Sequence, residues 1–274
     1  MSIVLILFLL PAALYAAVWR SSAGGARSGA AGALLALALV LHAITLFLPM
    51  QAGAFHYGFA KLLSATVWIG MLLAWIETSR MSVGGLLGLL APLATVVVVL
   101  PHFFPGTAFQ LDAQPPLFVP HLVAGTLAYG VMFLAALQAL LMMAARRQLD
   151  PRTPSQGGGG RLAAVLASGD SLPPLLVLER MLFRVIGVGF MLLLLTTVTG
   201  IVFSEEVFGK PLRIDHKTVF SLVATIAVGL LLAGRWLWGW RGRIAVRLTL
   251  GGFGLLLLSY VGSRFVLEVV LRRV

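Results

Sequence analysis

Residues 30–50 have the sequence AAGALLALALVLHAITLFLPM, which contains no Asp, Glu, Lys or Arg. About 20 consecutive apolar residues are needed to cross the hydrocarbon core of a bilayer as an α-helix. A soluble domain would interrupt such a run, because roughly 25% of its residues are charged. This stretch therefore predicts a membrane-spanning helix.

The rest of the chain repeats this pattern. Of its 274 residues, 60% are hydrophobic and only 11% are charged. Apolar runs predict about eight spans: Ser2–Trp19, Ala30–Met50, Gly58–Glu77, Gly84–Pro101, Pro120–Ala145, Met181–Phe203, His216–Gly234 and Ile244–Val270. We predict an all-α polytopic membrane protein, with residues 1–274 forming a single transmembrane bundle. The first run lacks the positive start of a signal peptide, and we expect it to be retained.

Arginines are concentrated in alternate connectors between the predicted helices. They are Arg20 and Arg27, then Arg80, then Arg146, Arg147, Arg152, Arg161, Arg180 and Arg184, then Arg235, Arg241, Arg243 and Arg247. Because Lys and Arg flank membrane helices on the cytoplasmic side, both termini are predicted to lie outside. The same rule accounts for the net charge of +11 without nucleic acid as a partner. The connector 146–179, with four consecutive glycines and several prolines, predicts a flexible cytoplasmic linker.

The five histidines all fall toward the predicted outer side. His42 lies inside the second span, about 12 Å below its outer end at 1.5 Å per residue. His56 and His102 lie in outer loops, and His121 and His216 begin the fifth and seventh spans. Histidine is the commonest metal ligand and a frequent haem ligand, and it is costly inside hydrocarbon. The alternative is a neutral imidazole hydrogen-bonded to another helix for His42, and interfacial or solvated side chains for the others.

Five cationic side chains are also predicted on the outer side: Lys61, Lys210, Arg213, Lys217 and Arg264. Such groups can pair with an anionic ligand such as the haem propionates. Alternatively they are interfacial side chains, with Arg264 and Glu268 forming an i, i+4 pair.

Several classes of chemistry are excluded. The chain has no cysteine, so it has no thiolate metal site and no thiol exchange of its own. It has no nucleotide-binding loop, no metalloprotease motif and no nucleophile elbow. We therefore expect a binder or carrier rather than an enzyme.

Five segments carry a resemblance: HAITL at 42–46, HLVAGTLAYG at 121–130, DHKTVFSLV at 215–223, GWRGR at 239–243 and SYVGSR at 259–264. In order and spacing they resemble the cytochrome c assembly family, the haem-handling CcmC/CcsA proteins, and most of all its YpjD subgroup. The resemblance implies that haem, held non-covalently as b-type haem, is handled at the outer face for attachment to c-type cytochromes. It implies other cytochrome assembly membrane proteins as partners. It also implies that His121 and His216 are the two outer axial ligands, and that His42 corresponds to the family's buried histidine.

The sequence departs from the family's pattern in one respect. The outer loops Pro101–Val119 and Ser204–Asp215 contain no tryptophan, whereas haem-handling members carry a Trp-rich outer loop. This leaves two alternatives, a membrane transport subunit or accessory, for instance for a divalent cation, and a structural scaffold. The sequence also leaves open which two histidines would be the axial ligands. His121 and His216 would hold haem upright, whereas His42, which is deeper, would with either of them hold it flatter.

Overall fold

The fold was analysed in a computed structural model, which describes residues 3–22, 29–47, 54–80, 84–110, 113–148, 174–205, 209 and 214–271. Over these residues eight helices are long and apolar enough to cross a membrane, as predicted. The linker prediction falls largely on residues 149–173, and the predicted outer cations Lys210 and Arg213 fall on 210–213; both segments lie outside the described residues.

The helices follow the predicted order with small shifts at their ends. They are α1 (Ile3–Ser22), α2 (Gly29–Phe47), α3 (Phe59–Arg80), α4 (Gly84–Val97), the short α5 (Leu100–Phe103), α6 (Phe118–Gln148), α7 (Leu175–Val202), α8 (His216–Trp238) and α9 (Arg243–Leu257). The largest shift is at α7, which begins six residues before the predicted Met181, directly after Pro174. The fourth predicted span is divided by a turn between α4 and α5.

The last span extends beyond the end of helix α9. It continues to Val270 through the π-helical stretches Leu258–Gly262 and Val266–Val270, which are separated by the short α-helical segment Ser263–Phe265. We call the whole span Arg243–Val270 the terminal helix. A π-helix has more residues per turn than an α-helix and is frequent at functional sites. Arg264 and Glu268 are both described residues of this helix, and no ion pair within 4.0 Å joins them.

Helix α6 is the centre of the bundle. In its apolar window 78% of the residues are buried, against 22–39% in six of the other spans. It packs against α3, α7 and α9, while α1 packs against α2 and α4. The outward faces of the other helices carry exposed Leu, Ile and Val side chains, such as Leu195 and Ile226, as lipid-facing surfaces require.

A small antiparallel ribbon, absent from the prediction, covers one end of the bundle. Strand β1 (Ala54–Tyr57) pairs with β2 (Thr107–Gln110), so it joins the connector before α3 to the connector before α6. Gly106, with a φ of 80°, sits against Gly58 so closely that a Cβ on Gly106 would lie 2.6 Å from the Gly58 Cα. Both connectors belong to the predicted outer side, and we call this end of the bundle the outer end.

At the opposite end, an ion pair joins two helices. Arg235 of α8 donates to the buried carboxylate of Glu179 on α7, and its guanidinium lies 4.5 Å from the Phe183 ring centroid. Nearby, Gln138 of α6 donates to Glu77 of α3 at 2.7 Å. Charged groups at this depth are stable only when paired inside the bundle.

The predicted topology can be tested by cysteine labelling, because the natural chain has no cysteine to give a background. We expect a membrane-impermeant maleimide to label Ala113→Cys on intact cells, since Ala113 is exposed in the outer connector. Ser155→Cys, in the predicted cytoplasmic linker, should be labelled only after the membrane is permeabilised. The cysteine-free parent is the control, and the reverse labelling pattern would show that the predicted orientation is wrong.

Candidate functional site

A cavity of about 490 Å³ opens among α6, α7, α8 and the terminal helix at the outer end. This volume lies within the range of small-molecule sites, about 300–1,000 Å³. Its apolar wall includes Leu122, Leu193, Ile201 and Leu256. Its chemically active side chains are His121, Lys217, Arg264, Asp215, Tyr57, Tyr129 and Tyr260, with a row of hydroxyls at Thr126, Thr196, Thr197, Thr218, Ser204, Ser221 and Ser259.

His121 enters the cavity from the first turn of α6. Its Nδ1 lies 2.9 Å from the Thr199 hydroxyl of α7. That hydroxyl has one proton, and three acceptors lie within its reach: the Leu195 carbonyl at 2.8 Å, the Thr196 carbonyl at 3.3 Å and the imidazole Nδ1. When the proton goes to a carbonyl, Thr199 accepts from His121 and Nδ1 carries the imidazole proton. In that tautomer the lone pair is on Nε2, as in a metal-ligating histidine that is oriented by an outer partner.

Two cations approach the cavity from different helices. The Lys217 Nζ lies 5.0 Å from the Tyr260 ring centroid, and the Arg264 guanidinium lies 5.7 Å from the same centroid. Arg264 also donates to the Thr107 hydroxyl at 3.2 Å, which ties it to the ribbon. Two like charges near one aromatic ring repel each other, so an anion between them would lower the electrostatic energy. This part of the cavity is suited to carboxylate groups.

The backbone around Lys217 is held at both sides. Asp215 caps α8, where its carboxylate accepts from the Thr218 backbone N–H at 2.9 Å and from the Thr218 hydroxyl at 3.1 Å. Burial acts to raise the pKa of Asp215, but these hydrogen bonds and the charges of Lys217 and His216 outweigh it and hold that pKa below its usual range. From the terminal helix, the Ser259 hydroxyl donates to the Lys217 carbonyl at 2.9 Å. The backbone from which the Lys217 side chain extends is therefore held from two helices.

Three of the chain's four tyrosines line the cavity. The Tyr57 hydroxyl lies 2.9 Å from the Thr126 hydroxyl, which also reaches the Leu122 carbonyl at 2.8 Å. Tyr129 donates to the Leu256 carbonyl. Burial raises the pKa of Tyr57 above its usual range, and the neighbouring Tyr260 raises it further. The phenols of Tyr57 and Tyr129 thus keep their protons and present ring surfaces and fixed dipoles.

The structure divides the predicted site residues into two groups. His121, Lys217 and Arg264 meet in the cavity. His216 begins α8 and is exposed, outside the cavity lining. Lys61, only 4% exposed, lies outside it too, with its Nζ 4.4 Å from the Phe55 ring centroid and no hydrogen-bond partner among the described residues.

His42 lies in a separate polar cluster among α1, α2 and α3. It is fully buried, with its Nδ1 3.1 Å from the Tyr15 hydroxyl and its Nε2 2.9 Å from the Ser64 hydroxyl. A neutral imidazole has one donor and one acceptor, so both ring nitrogens are used within the bundle. This is the hydrogen-bonded alternative that the sequence left open for His42.

Several cavity residues had no predicted role. Thr199 and Tyr57 gave no signal in the sequence, because threonines are common in membrane helices and Tyr57 precedes an ordinary apolar run. Tyr129 and Tyr260 lie inside two of the segments that carry the family resemblance. That resemblance was the signal in the sequence that could have identified them. Over the described residues, no three His, Asp or Glu side chains come together as a bare metal site, so the geometry offers no support for a cation cage.

Comparisons with known proteins agree with the resemblance. The sequence model of a family described as cytochrome C assembly protein matches residues 28–271. The inner membrane protein YpjD of Escherichia coli K12 is 30% identical over 238 residues, 85% of each chain. The cytochrome c biogenesis protein CcsA of Prochlorococcus marinus MIT 9303 is 26% identical over 268 residues, 89% of this chain and 83% of the relative. No solved structure matches.

The hydrogen bond between Thr199 and His121 can be tested without any ligand. We expect Thr199→Val to shift the His121 tautomer ratio toward the Nε2–H form by roughly fivefold, since a neutral hydrogen bond contributes about 1 kcal/mol. The measurement is the ¹⁵N imidazole spectrum of histidine-labelled protein, with His121→Ala to assign the signals. Thr196→Val is the matched control, because the Thr196 hydroxyl bonds only to carbonyls of its own helix. Equal spectra for wild type and Thr199→Val would contradict the assignment.

Proposed function

The chain belongs to the cytochrome c assembly protein family, and from this premise we propose that it handles haem during cytochrome c biogenesis. Its eight candidate spans and its relative named as an inner membrane protein make it a multi-pass protein of the bacterial inner membrane. We propose that it holds non-covalent b-type haem in the outer cavity as a carrier rather than as an enzyme. Other cytochrome assembly membrane proteins are its proposed partners.

One observation carries this proposal: an imidazole and two cations line the same cavity. His121 supplies the imidazole, and Lys217 and Arg264 supply the cations. Haem presents the complementary chemistry, an iron that binds imidazole and two carboxylates on one edge of an apolar plane. A bare metal ion would not need the cations, and a fatty acid would not need the imidazole.

The remaining lining fits the same ligand. Leu122, Leu193, Ile201 and Leu256 offer apolar contact to a porphyrin plane, and the rings of Tyr57 and Tyr260 meet edge to face with centroids 5.8 Å apart. Aromatic walls of this kind can serve where the Trp-rich outer loop of the family's haem-handling members is missing. The donor set, the apolar walls and the cations therefore fit haem.

Each residue has a defined task in this proposal. Thr199 orients the His121 ring and keeps its tautomer, which makes Nε2 the binding atom. Bound haem would supply the iron and the vinyl groups used in thioether formation on a cytochrome. Lys217 and Arg264 would hold the propionates, and the ribbon holds Arg264 through its hydrogen bond to Thr107. The chain itself would bind and orient the ligand.

The first test is a haem titration of detergent-purified protein followed by absorption spectroscopy. We expect wild type to bind haem with a shifted Soret band, and His121→Ala to bind at least about tenfold more weakly, since the loss of a metal ligand exceeds 1.4 kcal/mol. His102→Ala is the matched control: its ring packs against Phe8 and Phe103, away from the cavity. A wild type that takes up no haem, or equal affinity in His121→Ala, would contradict the proposal.

The second test separates the carboxylates of haem from its iron. Lys217→Met should weaken haem binding roughly 10- to 100-fold, because a hydrogen bond to a charged group contributes about 1.5–3 kcal/mol. Haem dimethyl ester has no carboxylates, so its affinity should be nearly the same in wild type and Lys217→Met. Lys61→Met is the matched lysine control, as Lys61 lies outside the cavity. A loss of affinity for the ester equal to the loss for haem would show that Lys217 does not bind carboxylates.

A further inference from the structure

Residues 235–247 join α8 to the terminal helix at the end of the bundle opposite the outer cavity, and we call them the basic corner. Their sequence, RWLWGWRGRIAVR, contains four arginines and three tryptophans but no Asp or Glu. We propose that the basic corner binds the headgroup of an acidic phospholipid, such as phosphatidylglycerol. Such a site would operate whether or not the outer cavity binds haem.

The charged and aromatic side chains of the basic corner lie on the protein surface. Arg241, Arg243 and Arg247 are exposed, and Trp236 and Trp238 are 86% and 66% exposed. Tryptophan is enriched at the boundary between the hydrocarbon and the headgroups, because its ring is apolar and its N–H is polar. The basic corner is therefore suited to the depth at which phospholipid headgroups lie.

Within the described part of the chain, only one of the four arginines has an acidic partner. Arg235 pairs with Glu179, whereas no hydrogen bond or ion pair to a described residue engages the other three side chains. The second described carboxylate at this end of the bundle, Glu77, accepts from Gln138. Helix α9 also has no acidic residue in its first turn. Three positive charges thus face the surroundings, where an anion from outside the chain can pair with them.

Arg247 indicates most directly that this anion belongs to a lipid. It lies four residues beyond Arg243, which places both on one face of the helix and Arg247 about 6 Å further along the axis. Exposed Ile244 and Gly251 flank it on the apolar surface of the same span. An arginine on such a surface is costly unless its side chain extends to the headgroups. A phosphate is the anion found there, and a guanidinium binds phosphate with two parallel hydrogen bonds.

The backbone of the basic corner is held in a fixed shape. Gly239 ends α8 with a φ of 65°, and the Trp240 N–H donates to the Gly234 carbonyl at 3.0 Å. The Trp240 ring covers Gly234 so closely that a Cβ there would lie 2.2 Å from a ring carbon. Gly242, with a φ of 67°, faces the Arg146 guanidinium, which would lie 2.6 Å from a Cβ at this position. The exposed arginines therefore extend from an ordered turn, which lowers the entropic cost of binding.

An acidic polypeptide would offer the same charge as an acidic lipid, but two features favour the lipid. Arg247 lies inside the membrane span Arg243–Val270, which a soluble polypeptide does not enter. The arginines also alternate with exposed apolar side chains, namely Trp236, Leu237, Trp238 and Ile244. Acyl chains below a phosphate provide both kinds of contact at once.

The test uses the full-length protein reconstituted into phosphatidylcholine vesicles that contain increasing fractions of brominated phosphatidylglycerol. Bromine quenches tryptophan fluorescence on contact, so quenching reports lipid beside exposed Trp236 and Trp238, and brominated phosphatidylcholine gives the reference. We expect wild type to prefer phosphatidylglycerol roughly tenfold, because each basic side chain at the headgroups strengthens the attraction several-fold. Arg243→Gln/Arg247→Gln should reduce this preference to within about twofold of none.

Two control variants locate the effect. Arg20→Gln/Arg27→Gln removes the same charge from the connector between α1 and α2, on the same predicted side of the membrane, and should keep the preference. Trp236→Phe/Trp238→Phe should remove most of the difference in quenching between the two brominated lipids. Exposed Arg241, which lies outside the helices, provides a further variant, Arg241→Gln, which should lower the preference several-fold.

Equal quenching of wild type by the two brominated lipids would overturn the proposal. An equal loss of preference in the two arginine double variants would also overturn it, because attraction would then follow net charge alone. Equal quenching together with binding of polyglutamate that is lost in Arg243→Gln/Arg247→Gln would assign the basic corner to an acidic protein instead. The thermal unfolding midpoint of each variant should equal that of wild type, since the replaced arginines are exposed.

Discussion

One hydrogen bond joins α6 to α7 at the outer cavity, where the His121 Nδ1 lies 2.9 Å from the Thr199 hydroxyl. The same hydroxyl reaches the Leu195 carbonyl, a backbone bond that is common for threonine in membrane helices. When the hydroxyl proton goes to that carbonyl, the imidazole carries its proton on Nδ1 and its lone pair on Nε2. The position of the lone pair, and hence any role of His121 as a ligand, depends on this one hydrogen bond between α6 and α7.

The bundle separates its polar groups into clusters with different tasks. His42, Tyr15 and Ser64 satisfy one another inside hydrocarbon, which gives three helices a fixed mutual position. In the outer cavity, by contrast, Lys217, Arg264 and His121 line one open space together with Asp215. A buried polar group in a membrane protein is expensive unless it is paired or functional. The first cluster is closed by its own hydrogen bonds, whereas the polar groups of the second surround a cavity.

The sequence was sufficient for the eight spans, because the length and hydropathy of each span are local properties. It was also sufficient to place the histidines near one end, since helix order and alternating charge determine depth. It could not show which side of a helix faces which neighbour. His216 and Lys217 are adjacent in sequence, yet only Lys217 lines the cavity, and that depends on how α8 packs. The ribbon pairs residues that are 50 to 56 positions apart, and the π-helical register of the terminal helix depends on its tertiary contacts, so neither was predictable from local pattern.

The most direct measurement of the central claim is the position of iron in crystals of the haem-loaded protein, found from its anomalous scattering. We expect one iron peak in the outer cavity, within bonding distance of Nε2 of His121, with the propionates toward Lys217 and Arg264. Iron bound to His42 among α1, α2 and α3, or to His216 on the outer surface away from His121, would contradict it.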